Sequence, residues 1–414
     1  MPAPSVTPSV LPDEAAVERR SRRRLVLVLG ALIALGPLTI DLYLPALPSI
    51  TEDLQTTEAR VQLTLTGTLL GVALGQLVVG PLSDALGRRR PLLVGIAVHV
   101  VASLLCVLAP TVEVLGGLRV LQGLGAAAAS VTAMAVVRDR YAGIDAAIVL
   151  SRLMLVLGVA PVLAPTLGGE VLRYTEWRGV FGVLAFAGLA LMVVAARGLQ
   201  ETHPPARRRS GRIAGTLRAY RGLLRDRTYV GLILVAGLSM AALFAYVSGS
   251  SFVLQDQYGL DEQQFGLAFG AGAVGLIAAT QLNPVLLRTL APEQVLARTL
   301  GVGLVLSLVL LATASTGFGG LTGFLVPLWA VLATVGLALP NTPALALSRH
   351  GEAAGTAAAL LGATQFGVAA LTAPFVGVLG NDARAMAVVV AVGMAAALSV
   401  LLLVVRPGLA RQQD

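Results

Sequence analysis

Lysine is absent from this chain, and its 30 strongly basic side chains are all arginine. There is therefore no P-loop lysine to cradle a phosphate and no amine to form a Schiff base, which excludes Walker-type nucleotide hydrolysis and lysine imine chemistry. Cysteine occurs once, as Cys106 within an apolar run, so a disulfide inside the chain and a cysteine metal site are excluded as well. Charge is scarce: 13% of residues are charged, against roughly 25% in an average soluble domain. Apolar residues make up 56% of the chain and the mean hydropathy is +0.83, the composition of an all-α polytopic membrane protein. The net charge of +8 does not point to nucleic acid, because the arginines gather at the ends of apolar runs, where membrane topology accounts for them.

A membrane span needs about 20 apolar residues. Runs of that size are expected at Leu25–Leu47, Ala59–Leu82, Pro91–Ala109, Val112–Val137, Ala146–Glu170, Arg178–Ala196, Tyr229–Leu254, Gln264–Leu287, Val295–Ser315, Leu321–Leu347, Gly355–Leu379 and Ala385–Val405. Residues 1–24 are rich in proline, serine and charge and are expected to be a disordered cytoplasmic segment. The five arginines at 19, 20 and 22–24 should hold an uncleaved first span with its N-terminus inside. Alternating the spans places Arg88 to Arg90, Arg138, Arg140, Arg288, Arg349, Arg406 and Arg411 on one side. Glu52, Asp53, Glu58, Asp256, Asp261, Glu262 and Asp382 fall on the other, with Arg60, Arg173, Arg178 and Arg384 as exceptions.

The longest internal connection, Arg197 to Arg227, carries nine arginines against Glu201 and Asp226. It divides the chain into bundles at 25–197 and 228–405, joined by a basic linker at 198–227 and followed by a cytoplasmic tail at 406–414. Within the linker, Thr216 to Leu224 has the spacing of a surface amphipathic helix; the alternative is a solvated linker beside anionic headgroups. Two six-span halves joined in this way suggest an internally repeated transporter with its site near the midplane between them.

Four stretches carry candidate chemistry. In Gly80-Pro81-Leu82-Ser83-Asp84-Ala85-Leu86-Gly87-Arg88-Arg89-Arg90, Gly80 and Pro81 should end one helix, Gly87 should permit the turn, and Pro91 should open the next. Asp84 then lies close to Arg88 and Arg89 on a short loop. Asp41, in Ile40-Asp41-Leu42-Tyr43-Leu44-Pro45, lies near the outer end of the first span. A carboxylate at the centre of a span costs on the order of 2.5–3.5 kcal/mol, which protonation would relieve; an interfacial acid before Pro45 is the alternative. Arg119 lies about eight residues into the fourth span, roughly 12 Å deep, so it should face the bundle interior with Gln122 on the same face. In the fifth span, Gly158, Pro161, Pro165, Gly168 and Gly169 make a bendable helix that can pack closely on a neighbour.

The Gly80 to Arg90 run resembles the loop between the second and third spans of the major facilitator superfamily. Arg119-Val120-Leu121-Gln122-Gly123 resembles that superfamily's Arg-x-x-Gln-Gly motif, in which the arginine is implicated in proton coupling. The Gly158 to Gly169 run resembles its antiporter motif. With Ile40 to Pro48, Trp177-Arg178-Gly179-Val180-Phe181 and Phe244 to Leu254, the chain resembles the Bcr/CflA-type drug-resistance subfamily. That resemblance implies a twelve-span, proton-coupled exporter of small chloramphenicol-like or bicyclomycin-like drugs, working as a monomer in the inner membrane with both termini cytoplasmic. It implies Asp41 and Arg119 in proton coupling, no cofactor and no metal. It also implies a cytoplasmic gate of Gly80, Asp84, Gly87, Arg88, Arg89 and Arg138.

A substrate cavity is expected at Tyr43, Gln122, Phe244, Tyr246, Asn341 and Gln365. His99 is the one histidine inside a span and is read as structural. Export of a sugar or other metabolite is the alternative within transporters. An intramembrane enzyme lacks His-Glu-x-x-His, Gly-x-Ser-x-Gly or a pair of intramembrane acids.

Overall fold

The computed structural model describes residues 12–207, 213–348, 350 and 354–405. Twelve helices in it are long and apolar enough to cross a membrane. They are α1 (Pro12–Asp41), α2 (Glu58–Leu86), α3 (Arg89–Val107), α4 (Val112–Arg140), α5 (Gly143–Leu172), α6 (Trp177–Gly198), α7 (Arg227–Phe252), α8 (Glu262–Leu286), α9 (Pro292–Thr316), α10 (Gly320–Ser348), α11 (Ala354–Thr372) and α12 (Ala383–Val400). Short side chains start several of them. Asp226 accepts from the backbone of Thr228 and Tyr229, Asp261 forms a capping box with Gln264, and Asp382 accepts from Ala385.

Three boundaries differ from expectation. First, helix α1 begins at Pro12, inside the segment expected to be disordered; Pro at a first helical position followed by Glu14, Ala15, Ala16 and Glu18 favours helix. Residues 1–11 and the 406–414 tail lie outside the described residues. Second, the first span does not end at Leu47. It breaks after Asp41, and Pro45 and Pro48 then open new turns that run on to Asp53.

Third, α2 passes through Gly80 and Pro81 and stops only at Gly87, whose φ of 91° suits glycine. A proline frees the carbonyl four residues before it. Here that carbonyl, on Leu77, accepts from the Tyr220 hydroxyl at 3.3 Å, so the helix need not end. Tyr220 belongs to a helix in the linker, Ile213–Leu223, which also packs on α11.

Packing repeats between the halves. In the first, α1 meets α5, α2 meets α4, and α3 meets α4 and α6; in the second, α7 meets α11, α8 meets α10, and α9 meets α10 and α12. The halves join along a seam of two helix pairs, α2 with α11 and α5 with α8. Close approach inside the first half depends on glycine: an added Cβ at Gly71 or Gly123 would collide with the carbonyls of Val120 or Thr68. Leu63, Leu70, Leu74 and Val78 on α2, and Leu371 on α11, face outward as a lipid surface would require.

The sidedness of charge persists in three dimensions. Of the four arginines on the acidic side, Arg60 pairs with Glu113 at 3.5 Å, Arg173 with Glu170 at 3.1 Å and Arg178 with Asp53 at 2.6 Å.

Candidate functional site

The seam is fastened at its acidic side. Gln62 of α2 donates to the Ser248 carbonyl at 3.2 Å and to the Asn381 side chain, and Asn381 in turn donates to Glu58. Ser251 donates to the Leu44 carbonyl at 2.6 Å, Gln255 to that of Pro45 at 3.2 Å, and Gln263 to that of Gly169 at 3.2 Å. At the basic side, Tyr220 of the linker helix donates to the Leu77 carbonyl of α2 at 3.3 Å. Gln62, Gln255, Gln263 and Asn381 did not stand out in the sequence, because polar residues near span ends are ordinary interfacial features.

The proline and glycine run of α5 lies in this fastening. Gly168 is pressed against the Leu42 carbonyl and Gly169 against the Glu262 backbone. Pro165 and Val162 lie opposite Gly266 and Gly270 of α8, and Gly158 faces Ile277. Pro161 and Pro165 stay within a continuous helix.

Arg119 is fully buried in the first half. Its Nη1 donates to the Thr39 carbonyl at 2.9 Å and to Gln122 Oε1 at 2.5 Å, and the guanidinium lies 3.9 Å from the ring centre of Tyr43. Phe181 stands 5.6 Å away on the same group, so aromatic faces surround a cation with no carboxylate partner. Its Nε and Nη2 have no hydrogen-bond partner. Gln122 continues the chain of bonds to Ser103 at 2.7 Å, and Ser103 to the His99 carbonyl at 2.7 Å. Thr39 spends its hydroxyl proton on the Leu35 carbonyl at 2.6 Å, so His99 Nε2 must be the donor in the 2.9 Å contact with Thr39 Oγ1. His99 thus ties α3 to α1.

Asp41 is 5% exposed and its carboxylate makes no hydrogen bond or ion pair. It follows Thr39 by two residues, about 200° around the helix, so its side chain points away from His99, which the Thr39 hydroxyl meets. Its charge reaches Tyr246 of α7 instead, in the other half. The acid belongs to the seam and the guanidinium to the interior of one bundle.

Most of the expected cavity residues are packed. Tyr43 is fully buried beneath Arg119, and Gln122 points to α3. Phe244 meets Phe366 edge-on at 6.1 Å, and Tyr246 stacks on Phe269 at 4.9 Å. Asn341 donates to Asn283 at 2.7 Å, joining α10 to α8 within one half. The polar groups of Gln122, Tyr246 and Asn341 satisfy neighbours across helix contacts, and the Phe244 ring is taken up by Phe366. Gln365 alone of the six is partly exposed and without a hydrogen bond.

At the basic side, Arg88 is 6% exposed and pairs with Asp84 and, at 2.8 Å, with Asp139 of α4. Burial pulls its pKa down, but the hydrogen bonds it donates to Asp139 and Asp84, with their negative charges, outweigh that and raise it above the usual arginine range. Arg138, expected in this gate, is exposed, and its neighbour Asp139 takes the place; one residue is about 100° of helix rotation. Gly80 sits within α2 with open space around it, not in the turn. Arg89 donates to the Ala196 carbonyl at 2.6 Å. Glu201 accepts from the backbone of Arg88 at 2.8 Å and Arg89 at 3.3 Å, an anion at the start of α3, while Thr202 donates to Asp139 at 3.0 Å.

Two pseudo-equivalent six-helix bundles, packed along a seam of two helix pairs, define a multi-pass membrane protein. The family model described as Major Facilitator Superfamily matches residues 27–374, and the chain belongs to that family. It is 36% identical to a Bacillus subtilis protein named "Uncharacterized MFS-type transporter YdgK", over 87% of this chain and 90% of that one. It is 30% identical to "Bicyclomycin resistance protein homolog" of Haemophilus influenzae, over 89% of this chain and 92% of that one. Against "Chloramphenicol resistance protein" of Pseudomonas aeruginosa it is 32% identical, over 83% and 81% of the two chains. The crystal structure of a D-xylose-proton symporter shares the fold with a TM-score of 0.68 at 15% identity, covering 91% of this chain and 96% of that one.

Proposed function

We propose that the protein is a proton-coupled antiporter that exports small drugs by alternating access, with its basic side in the cytoplasm of the inner membrane. The observation that carries this reading is Asp41: a carboxyl kept out of water at the seam, without a cation or hydrogen bond to hold it ionised. Such a group changes charge when one half moves against the other, which is what exchange of a proton for cargo requires. Relatives named for bicyclomycin and chloramphenicol resistance support drugs as the cargo.

In the cycle we propose, a state with its acidic side fastened is the one that opens to the cytoplasm. Cargo would enter there; rocking would release the Gln62 and Ser251 contacts, and an outward-open Asp41 would take a proton in exchange. Neutralising the acid would favour closure of the outer side and return. Arg119 would hold α1 in register during this step through Thr39. A membrane potential of about 100 mV supplies roughly 2.3 kcal/mol per proton, enough for a gradient of about 50-fold for a neutral cargo.

The test is export in everted vesicles under an imposed pH gradient. Asp41→Asn should abolish the dependence on the gradient while leaving protein quantity unchanged. Full gradient-driven export by that variant would place the proton elsewhere.

A further inference from the structure

The linker helix Ile213–Leu223 carries charge that the described residues leave unanswered. Arg218 and Arg221 lie two residues before and one after Tyr220, about 200° and 100° around the helix, and so turn away from the side that docks. Arg225 follows in the closing turn, where its backbone N–H meets the Gly222 carbonyl at 3.2 Å. All three arginines are exposed, and among the described residues none has an ion pair or a side-chain hydrogen bond. The two acids of the connection are engaged elsewhere: Glu201 accepts from the backbone of Arg88 and Arg89, and Asp226 caps α7 and meets His350 at 3.1 Å. Beside the arginines stands Leu224, 54% exposed, whereas Leu223 packs into the core.

Where this helix docks decides what its basic face meets. Tyr220 bonds the Leu77 carbonyl that Pro81 frees. Leu77 and Pro81 each come seven residues after an outward-facing leucine, Leu70 and Leu74, and so lie about 20° from it around α2. The linker helix therefore reaches α2 from the lipid-facing rim, not from beneath the bundle, and its body packs on α11 across the border. Leu77 is five residues inside the end of the apolar run at Leu82, about 7.5 Å along the axis, a depth that a tyrosine side chain spans from a helix lying at the interface. An arginine row turned away from the protein and an open leucine beside it match the headgroup layer of a membrane: phosphates answer the guanidinium groups, and acyl chains the leucine. A soluble anion offers Leu224 nothing.

We propose that Arg218, Arg221 and Arg225 bind the phosphate groups of anionic phospholipids, and that this docking holds the linker helix as a strap across the α2–α11 border. The helix touches one half through Tyr220 and the other through α11, so lipid on its outer face sets how firmly that border is held at the basic side.

The experiment is hydrogen–deuterium exchange of the full-length protein in nanodiscs of phosphatidylglycerol or of phosphatidylcholine. In phosphatidylglycerol, residues 213–225 of the wild type should exchange about a hundredfold more slowly, roughly fivefold for each arginine, and residues 77–82 should slow with them. The triple variant Arg218→Gln, Arg221→Gln, Arg225→Gln should exchange at one rate in both lipids. Equal exchange of the wild type in the two lipids would overturn the proposal, as would a triple variant that keeps the full difference. Inorganic phosphate that restores protection in phosphatidylcholine would make this a site for a soluble anion and overturn it too. Protection at 213–225 with no change at 77–82 would sink the strap. Neither cargo nor proton exchange enters this readout, so it stands or falls apart from the exporter reading.

Discussion

Arg119 donates to the main-chain carbonyl of Thr39 at 2.9 Å and so grips α1 two residues short of Asp41, without touching the acid. Any influence of the guanidinium on the carboxyl must pass through the backbone between them. A charge held this way positions α1 whether or not Asp41 carries a proton.

Replacing Arg119 should therefore be costly in stability as well as in transport. Arg119→Ala strands the Thr39 carbonyl and Gln122 Oε1 in a dry site, and a loss of about 2–4 kcal/mol is expected. Arg119→Lys keeps the charge but not the flat face against Tyr43, and should recover only part of it. Thermal unfolding of the purified variants in detergent reads the difference; equal stability of Arg119→Ala and wild type would refute the grip.

Neighbours on α4 should behave differently. Asp139→Asn breaks the shielded partner of Arg88 and should destabilise by about 3 kcal/mol, while Arg138→Ala, out in solvent, should stay within about 0.5 kcal/mol. Because the pKa of Arg88 is raised, its charge contributes at every pH below the usual arginine range and would fade only above it. The Asp139→Asn penalty should thus be flat between about pH 6 and 9, measured as a shift in unfolding midpoint.

Glycine substitutions offer a sharper contrast. Gly71→Ala and Gly123→Ala force α2 from α4 and should each cost about 1–3 kcal/mol. Gly80→Ala meets open space inside a helix and should be neutral or stabilise by about 0.5–1 kcal/mol. The same melting assay ranks all three, and a harmless Gly71→Ala would contradict the close approach.

Tyr220→Phe removes the donor that satisfies the carbonyl freed by Pro81. A loss of about 1 kcal/mol is expected, together with faster amide exchange around residues 77–82 by hydrogen–deuterium mass spectrometry. Pro81→Ala in the same background should restore protection, since Leu77 regains a partner within its own helix.

The twelve spans were legible because apolar length and arginine sidedness are local properties, and Asp84 with Arg88 because the turn at Gly87 separates them by only four residues. Pro81 misled because the hydroxyl that satisfies the Leu77 carbonyl it frees comes from Tyr220, 143 positions from Leu77. Asp139 was passed over for Arg138 because a single residue decides which side chain faces the loop. Tyr43, Gln122 and Asn341 were placed in a cavity on polarity alone, whereas helix rotation turned each toward a neighbour in its own bundle.

Where α2 and α4 cross, main chain lies against main chain with no side chain between to yield. A bundle built this way transmits force like a casting and gives adaptation little purchase inside it. Variants with altered cargo taste should accordingly arise along the α2–α11 and α5–α8 borders, while inheritance holds the crossing of α2 and α4 nearly fixed.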